Sequence, residues 1–161
     1  MRRGAGEGYG RAVARTPRSG LPDGYFHVFS RAVAASGPLY VDDHDRQRFV
    51  DLVWHVAERH GWTCHALCVM GTHYHLVVEA GREALSAGVH RLNWQYARYF
   101  NVRHRRFGHV FADRFSARVI GGDEYLFDVC AYVVLNPVRA GLCQTTEEWP
   151  WSWSSYGLRI G

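Results

Sequence analysis

The sequence places two histidines one residue apart, His73 and His75, with Tyr74 between them. Side chains alternate between the faces of a β-strand, so both imidazoles would point to one face and Tyr74 to the other. Imidazoles about 7 Å apart along a strand can bind one divalent cation, because strand twist and rotamer choice close the gap. The alternative is an ordinary surface pair, since the chain has ten histidines. Two imidazoles leave coordination positions open, which suits catalysis on a phosphate better than a closed structural zinc site.

A second pair of reactive groups is Tyr132 and Asn136. Residues four apart lie on one face of a helix, so the phenol and the amide can address the same point. A tyrosine becomes a nucleophile where a nearby cation or base favours the phenolate. The alternative is a core aromatic, because Tyr125, Val129 and Tyr132 form the stripe that helix packing requires. The aim of Asn136 is left open, because the following Pro137 disfavours helical backbone there.

The positive charge is concentrated in one stretch of the chain. The formal net charge is +4, all 19 basic residues are arginines, and eight of these lie in 82–118 beside only two acidic residues. The stretch 42–58 instead contains five acidic residues and two arginines. This uneven distribution indicates a face that binds a polyanion such as nucleic acid, the alternative being a solvated helix face.

Length and composition indicate one intracellular domain. With 161 residues, of which 47% are hydrophobic, the chain can close a single core. No apolar run is long enough to cross a bilayer, and 1–24 lacks the apolar segment of a secretory signal, so we expect a cytoplasmic protein with no membrane partner. The four cysteines form no CxxC pair, which indicates small buried hydrophobic residues and neither a zinc ribbon nor a redox site.

The hydrophobic pattern predicts the elements that must position these groups. A basic arm, 1–23, is expected to be disordered, and 24–161 is expected to form the domain. The first half is predicted to form a strand (25–30), a helix capped by Asp42 or Asp43 and ended by Gly61, and a hairpin of two strands (62–70 and 73–79). The second half is predicted to form a helix from Leu85 past Tyr99, an extended segment (111–120), and a third helix capped by Asp123 and stopped near Asn136 by Pro137. A Trp-rich tail (149–153) is expected to pack on the core. This order predicts an α+β, ferredoxin-like split βαβ fold. Its antiparallel sheet would be covered by helices on one face, with an additional C-terminal helix.

Together these segments resemble a known protein family. Cys68-Val69-Met70 before the histidine triplet, and 132–142 with its Asn-Pro-Val-Arg-Ala-Gly-Leu ending, are similar to the single-tyrosine HUH transposases. The resemblance is strongest to the REP-associated tyrosine transposases, which have an insertion-sequence-200-like domain. Three shorter runs keep the family's order, at 25–31, 108–115 and 151–156, so the resemblance spans about 24–157.

The resemblance implies a metal-dependent enzyme that nicks single-stranded, hairpin-forming repeat DNA and transfers the strand. Tyr132 would attack the scissile phosphate, giving a 5′-phosphotyrosine and a free 3′-OH. His73 and His75, with Asn136 as third ligand, would hold Mg²⁺ or Mn²⁺. The protein would act at the nucleoid as a monomer or a homodimer. The arginines expected to contact the DNA are Arg103, Arg105, Arg106, Arg114 and Arg118.

Two positions depart from the family pattern, and other functions stay open. The usual Pro-Asn before the first histidine is Gly71-Thr72, which removes an amide that could support the ligands, and the usually aliphatic middle residue is Tyr74. His27 could face the metal or make a structural hydrogen bond, and it is left out of the ligand set. One alternative is a non-catalytic module that binds structured single strands without a divalent cation. Another is a metal-dependent phosphodiesterase that uses water.

Overall fold

The structure, a computed structural model, describes residues 23–150 and 154–156. Its strands and helices are β1 (Gly24–Arg31), α1 (Asp43–His60), β2 (Thr63–Val69), β3 (His73–Ala80), α2 (Arg82–Arg103), β4 (Ser116–Ile120), α3 (Asp123–Val134), α4 (Asn136–Arg139) and β5 (Ser154–Tyr156). Short 3-10 turns lie at Ala34–Ser36 and Thr146–Glu148. Residues 1–22 of the predicted arm and the last three residues of the predicted Trp-rich tail, 151–153, lie outside the described residues.

The sheet has the strand order β4-β1-β3-β2-β5, and every neighbouring pair is antiparallel. Strands β1 and β2 therefore run parallel with β3 between them, and α1 connects them. This is the split βαβ arrangement, so the predicted ferredoxin-like α+β fold is confirmed. Strand β5 adds a fifth member beside β2.

Helices α1 and α2 cover one face of the sheet. Helix α1 begins where the Asp42 side chain accepts a hydrogen bond from the backbone N–H of Asp45 (3.0 Å), and it ends at Gly61, whose φ of 67° is left-handed. The apolar side of each helix packs on alternate residues of β1, β2 and β3. This main core includes Phe26, Val28, Phe49, Val53, Leu76 and Leu92, all fully buried.

Helix α3 packs on the opposite face. Cys130, Val133 and Val134 form a smaller core there with sheet residues such as Ala66 and Val77. Its predicted cap was wrong: Gly122 precedes the helix with φ 152°, no side chain caps it, and Asp123 is the first helical residue. The predicted stop was partly right. Helix α3 ends at Val134, but Pro137 lies in the first turn of α4, where its missing N–H needs no partner.

The predicted extended segment 111–120 is a strand only in its second half, β4. Phe111 forms an isolated bridge with Ala32, whereas Ser116 pairs with Phe29. Between these pairs the loop is two residues longer than the matching stretch of β1, so the ladder cannot continue. The extra residues leave the sheet edge as an exposed bend.

An ion-pair cluster joins the start of α1 to the end of α2. The carboxylate of Asp45 is fully buried and accepts hydrogen bonds from Arg103 (2.6 Å) and Tyr99 (3.0 Å), and it pairs with His104 (2.8 Å). Arg103 also donates to both carboxylate oxygens of Asp42, at 2.8 Å each. These contacts hold the pKa of Asp42 and of Asp45 below its usual range.

Three of the four cysteines are buried, as predicted from their pattern. Cys64, Cys68 and Cys130 are buried free thiols, and burial raises the pKa of Cys64 and of Cys68 to about 12. They therefore pack as small hydrophobic residues. None of the helices that the structure describes combines the length and hydropathy needed to cross a membrane.

Candidate active site

Three imidazoles meet on the sheet face that α3 covers. The His73 and His75 rings lie on the same face of β3, with ring centroids 5.0 Å apart. His27 lies on the neighbouring β1, and its Nε2 is 3.0 Å from Nδ1 of His75. Nδ1 of His73 is 3.2 Å from the Thr72 hydroxyl oxygen. His73 and His75 therefore each have Nδ1 engaged in a contact, which leaves Nε2 of each as the nitrogen available to a ligand.

Tyr132 brings a phenol to the same place from α3. Its ring centroid lies 6.1 Å from that of His27 and 6.4 Å from that of His75, edge-on in both cases. The residue is 37% exposed, so it is not a core aromatic. We call His27, His73, His75 and Tyr132 the candidate active site.

The imidazoles of the candidate active site are neutral at physiological pH. Burial and the neighbouring histidines lower the pKa of His75 to about 3. Burial, followed by the charge of Arg118, lowers the pKa of His27 to about 4. The pKa of His73 is lowered too, by burial and by Arg31. Neutral imidazoles offer lone pairs, and the nearby arginines give the face a positive potential that suits a phosphate.

Two arginine side chains lie against aromatic rings on this face. The guanidinium of Arg139 lies 5.0 Å from the ring centroid of Tyr132, and that of Arg118 lies 5.6 Å from the ring of Phe29. Phe29 in turn packs beside His75, with ring centroids 5.9 Å apart. The two guanidinium groups add positive charge to the face on which a DNA phosphate would lie.

Asn136 follows α3, and its amide binds the end of that helix. Its Nδ2 donates to the backbone carbonyls of Tyr132 (2.9 Å) and Val133 (3.2 Å). Only Oδ1 is left to coordinate a cation. Among the described residues, no three His, Cys, Asp or Glu side chains are grouped to hold a metal ion. The three ligands that the resemblance implies therefore offer a cation two imidazole nitrogens and this amide oxygen.

The two residues that depart from the family pattern, Thr72 and Tyr74, both make hydrogen-bond contacts. Thr72 places its hydroxyl beside His73, where the resemblance leads us to expect an amide. Tyr74 is fully buried on the sheet face that α1 and α2 cover, and its hydroxyl donates to Oδ1 of Asn93 (2.8 Å). Neither substitution therefore disturbs the face that carries the imidazoles.

The sequence of this chain matches the model of a known protein family. The family model of IS200-like transposases matches residues 37–136, well over half of the chain. The chain belongs to the IS200-like transposase family. The matched region includes the histidine triplet, Tyr132 and Asn136, and the predicted family is confirmed.

Similarity to one solved structure supports the fold, and a second solved structure is less similar. A REP-associated tyrosine transposase bound to a REP hairpin has 16% sequence identity and a TM-score of 0.69, covering 88% of this chain and 82% of that chain. A candidate transposase from Deinococcus radiodurans R1 has 16% identity and a TM-score of 0.49, covering 74% of this chain and 95% of that chain. A search of curated proteins finds no match.

The five predicted DNA-contacting arginines divide into different environments. Arg118 is exposed on the face of the candidate active site, and Arg114 is exposed in the loop before β4. Arg105 is exposed with φ 52°, and Arg106 lies over the Phe100 ring at 5.6 Å, so both lie at the end of α2. Arg103 differs, because its guanidinium is bound within the ion-pair cluster.

Sequence reasoning gave too little weight to three residues of this face. His27 lies outside the predicted ligand set, because the sequence leaves a structural hydrogen bond open for it, and its contact with His75 depends on the β1–β3 register. Arg31 pairs with His73 in that same register. Arg139 stood in the family-like string without a role, although its seven-residue spacing from Tyr132, two helical turns, could have indicated a shared face.

Proposed function

We propose that this chain is a REP-associated type of tyrosine transposase, which nicks and rejoins single-stranded, hairpin-forming DNA at the nucleoid. The observation that carries the proposal is the exposed phenol of Tyr132 within 6.4 Å, ring to ring, of the His75 imidazole. Family membership supports an enzyme acting on DNA. The fold similarity to a transposase bound to a REP hairpin supports hairpin DNA as the substrate class.

The proposed reaction is a transesterification at one phosphodiester. The Tyr132 oxygen forms a bond to the phosphorus, and the bond from phosphorus to the 3′ oxygen breaks. The phenol loses a proton and the departing 3′ oxygen gains one, so protonation balances. The phosphotyrosine keeps the phosphodiester energy, which lets a 3′-OH reverse the step and join strands without another energy source. Arg118 and Arg139 would attract the DNA phosphates.

A divalent cation would complete this site, with two nitrogen donors and one oxygen donor from the protein. His73, His75 and Oδ1 of Asn136 would hold Mg²⁺ or Mn²⁺, because both imidazoles are neutral with Nδ1 engaged. When bound, such a cation polarises a phosphate oxygen and opposes the charge that builds up in the reaction.

His27 has a positioning role in this proposal. If Nδ1–H of His75 donates to Nε2 of His27, Nε2 of His75 keeps its lone pair and faces the reaction. In the opposite tautomer, Nε2 of His75 would carry the proton and could not bind a cation. His27 thus selects the useful tautomer by accepting that hydrogen bond.

Substitution of Tyr132 by phenylalanine tests the proposal. Incubation of end-labelled hairpin DNA with Mn²⁺ should give the wild-type protein a covalent DNA adduct, seen as a shifted band on a denaturing gel. Tyr132→Phe should give no adduct and should bind DNA within about twofold of wild type, since only one hydroxyl is removed. The matched control is Tyr125→Phe, an exposed tyrosine on the same helix, which should form the adduct normally.

The other outcomes separate the alternatives. An adduct that persists in Tyr132→Phe would contradict the nucleophile. Cleaved DNA without an adduct in the wild type would indicate a phosphodiesterase that uses water. Binding that needs no divalent cation, with neither cleavage nor adduct, would indicate a non-catalytic DNA-binding module.

A further inference from the structure

We infer that Arg31 is a catalytic residue that stabilises the 3′ oxygen as this oxygen leaves the scissile phosphate. The inference rests on the proposed function and deepens it, because the proposed transesterification leaves the departing oxygen without a protein partner. It is carried by the place of Arg31 on the face of the candidate active site, by its exposure, and by its position relative to Tyr132.

Arg31 lies on the same sheet face as the imidazoles. It is the last residue of β1, and His27 and Phe29 precede it by four and two residues, so the three side chains point to one face. In the antiparallel register of β1 and β3, Arg31 pairs with His73, and the side chains of directly paired residues are neighbours. After burial, the charge of Arg31 is the next cause of the lowered pKa of His73. The guanidinium is therefore close enough to act on that imidazole.

The guanidinium of Arg31 is available to a substrate. The residue is exposed, and within 23–150 and 154–156 its side chain makes no hydrogen bond or ion pair. Two other arginines of this face differ, because Arg118 lies over the ring of Phe29 and Arg139 over the ring of Tyr132. Arg31 thus keeps its fork of N–H donors for an oxygen of the DNA.

The backbone at Arg31 is fixed before any substrate binds. Its carbonyl accepts a hydrogen bond from the N–H of Ala112 (3.0 Å), and the N–H of the next residue, Ala32, donates to the carbonyl of Thr72 (2.8 Å). Ala32 also forms the bridge with Phe111. A donor that is held in place in advance needs little reorganisation when charge develops on the substrate.

Tyr132 and Arg31 lie at different ends of the imidazole cluster. The Tyr132 ring lies 6.1 Å from the ring of His27 and 6.4 Å from that of His75. Arg31 is instead level with His73, and four residues of strand, about 13 Å, separate it from His27. A phosphate at the imidazoles would have the phenol on one side and the guanidinium on the other. In-line displacement needs this arrangement, because the attacking and leaving oxygens lie on opposite sides of the phosphorus.

The contribution of Arg31 is electrostatic. As the bond from the Tyr132 oxygen to phosphorus forms and the bond from phosphorus to the 3′ oxygen breaks, negative charge builds up on the 3′ oxygen, and the guanidinium donates hydrogen bonds to it. A guanidinium does not give up its proton, so solvent takes the proton of the phenol and supplies the proton of the 3′-OH. When a 3′-OH reverses the step, the same contact holds the attacking oxygen.

Replacement of the leaving oxygen by sulfur tests the inference directly. The linkage that the wild type cleaves in hairpin DNA is mapped first, and its 3′ bridging oxygen is then replaced by sulfur. At saturating DNA with Mn²⁺, Arg31→Gln should cleave the normal linkage about 10²- to 10³-fold more slowly than wild type. It should cleave the sulfur linkage within about tenfold of wild type, because a thiol has a pKa of about 8.5 and its anion leaves with little stabilisation.

Two variants serve as controls. Arg118→Gln removes another arginine of the same face, and its rate relative to wild type should be equal for the oxygen and the sulfur linkage. Arg31→Lys keeps the positive charge without the guanidinium fork, so its rate on the normal linkage should lie between those of Arg31→Gln and wild type. In the DNA-free protein, Arg31→Gln should bind Mn²⁺ at least as tightly as wild type, because Arg31 is not a ligand and its charge repels a cation.

The other outcomes separate this inference from the proposed function. A defect of Arg31→Gln that is equally large on both linkages would overturn the inference, and so would weaker Mn²⁺ binding, which would indicate a structural support of His73. A wild-type rate of adduct formation in Arg31→Gln would overturn it and leave the proposed function supported. Cleavage by the wild type without a Tyr132 adduct, with the Arg31→Gln defect still relieved by sulfur, would refute the proposed function and support the role of Arg31. DNA that the wild type never cleaves would overturn both.

Discussion

At the scale of single residues, the candidate active site depends on which ring nitrogen of each histidine is free. Thr72 engages Nδ1 of His73, and His27 engages Nδ1 of His75. The spacing of His73 and His75 was enough to predict a shared face. It could not predict His27, because that contact follows from the pairing of two strands far apart in the chain.

Substitution of His27 should change cation binding without removing a ligand. We expect His27→Phe to weaken Mn²⁺ affinity of the DNA-free protein about ten- to hundredfold, because the ring remains packed but no longer accepts from His75. His27→Gln should retain most of the affinity, since its Oε1 can accept the same hydrogen bond. Titration followed by electron paramagnetic resonance of Mn²⁺ measures the difference. Equal affinities for all three proteins would contradict the positioning role.

At the scale of elements, the close packing of α2 on the Trp62 ring, just before β2, rests on a glycine. A Cβ added to Gly88 would lie 2.2 Å from Cζ2 of Trp62, a ring that is only 4% exposed. Gly88→Ala should therefore destabilise the protein by about 1–3 kcal/mol, although alanine is the better helix former by about 1 kcal/mol. Urea unfolding measures this change. Gly121→Ala is the control, because no atom lies within 4 Å of an added Cβ there; stabilisation by Gly88→Ala would contradict the packing.

Elements held by local signals were predictable, and elements set by distant pairing were less so. Helix α1 begins and ends at residues whose local roles are evident, Asp42 and Gly61. Strand β4 was predicted too long, because its true start depends on where Phe29 pairs. The continuation into α4 was missed, since Pro137 reads as a stop in sequence but fits the first turn of a new helix.

At the scale of the whole molecule, the buried histidines make stability sensitive to acid. Their pKa is 6.5 in the unfolded chain but about 4 for His27 and about 3 for His75 in the fold. Below pH 6.5 the unfolded state binds protons that the folded state excludes. The free energy of unfolding should then fall by up to about 1.4 kcal/mol per pH unit for each histidine.

Urea unfolding at pH 7.5, 6.0 and 5.0 without divalent cations measures this loss. The control is the double variant His27→Gln, His75→Gln, whose unfolding free energy should depend less on pH over that range. Identical pH dependence for the variant and the wild type would mean that the pKa of both imidazoles is the same in the folded and unfolded states.

The whole charge distribution should appear in the salt dependence of DNA binding. Arg118→Gln should reduce the slope of log affinity against log salt by about 0.7, because one phosphate contact on a single strand is lost. Arg59→Gln, an exposed arginine near the end of α1, should leave the slope unchanged. Fluorescence anisotropy between 50 and 300 mM salt measures both slopes. Equal slopes for Arg118→Gln and wild type would remove Arg118 from the DNA-binding surface.

Strand β5 is the last element that the structure describes, and it supports the helix that carries Tyr132. It pairs with β2, and Ser154 donates to the carbonyl of Val134 at the end of α3 (3.2 Å). During synthesis on the ribosome, every other strand and helix described here emerges before this one. The helix that carries Tyr132 thus gains this support only after the other described elements have emerged, so a nascent chain stalled before β5 should lack a firmly seated nucleophile.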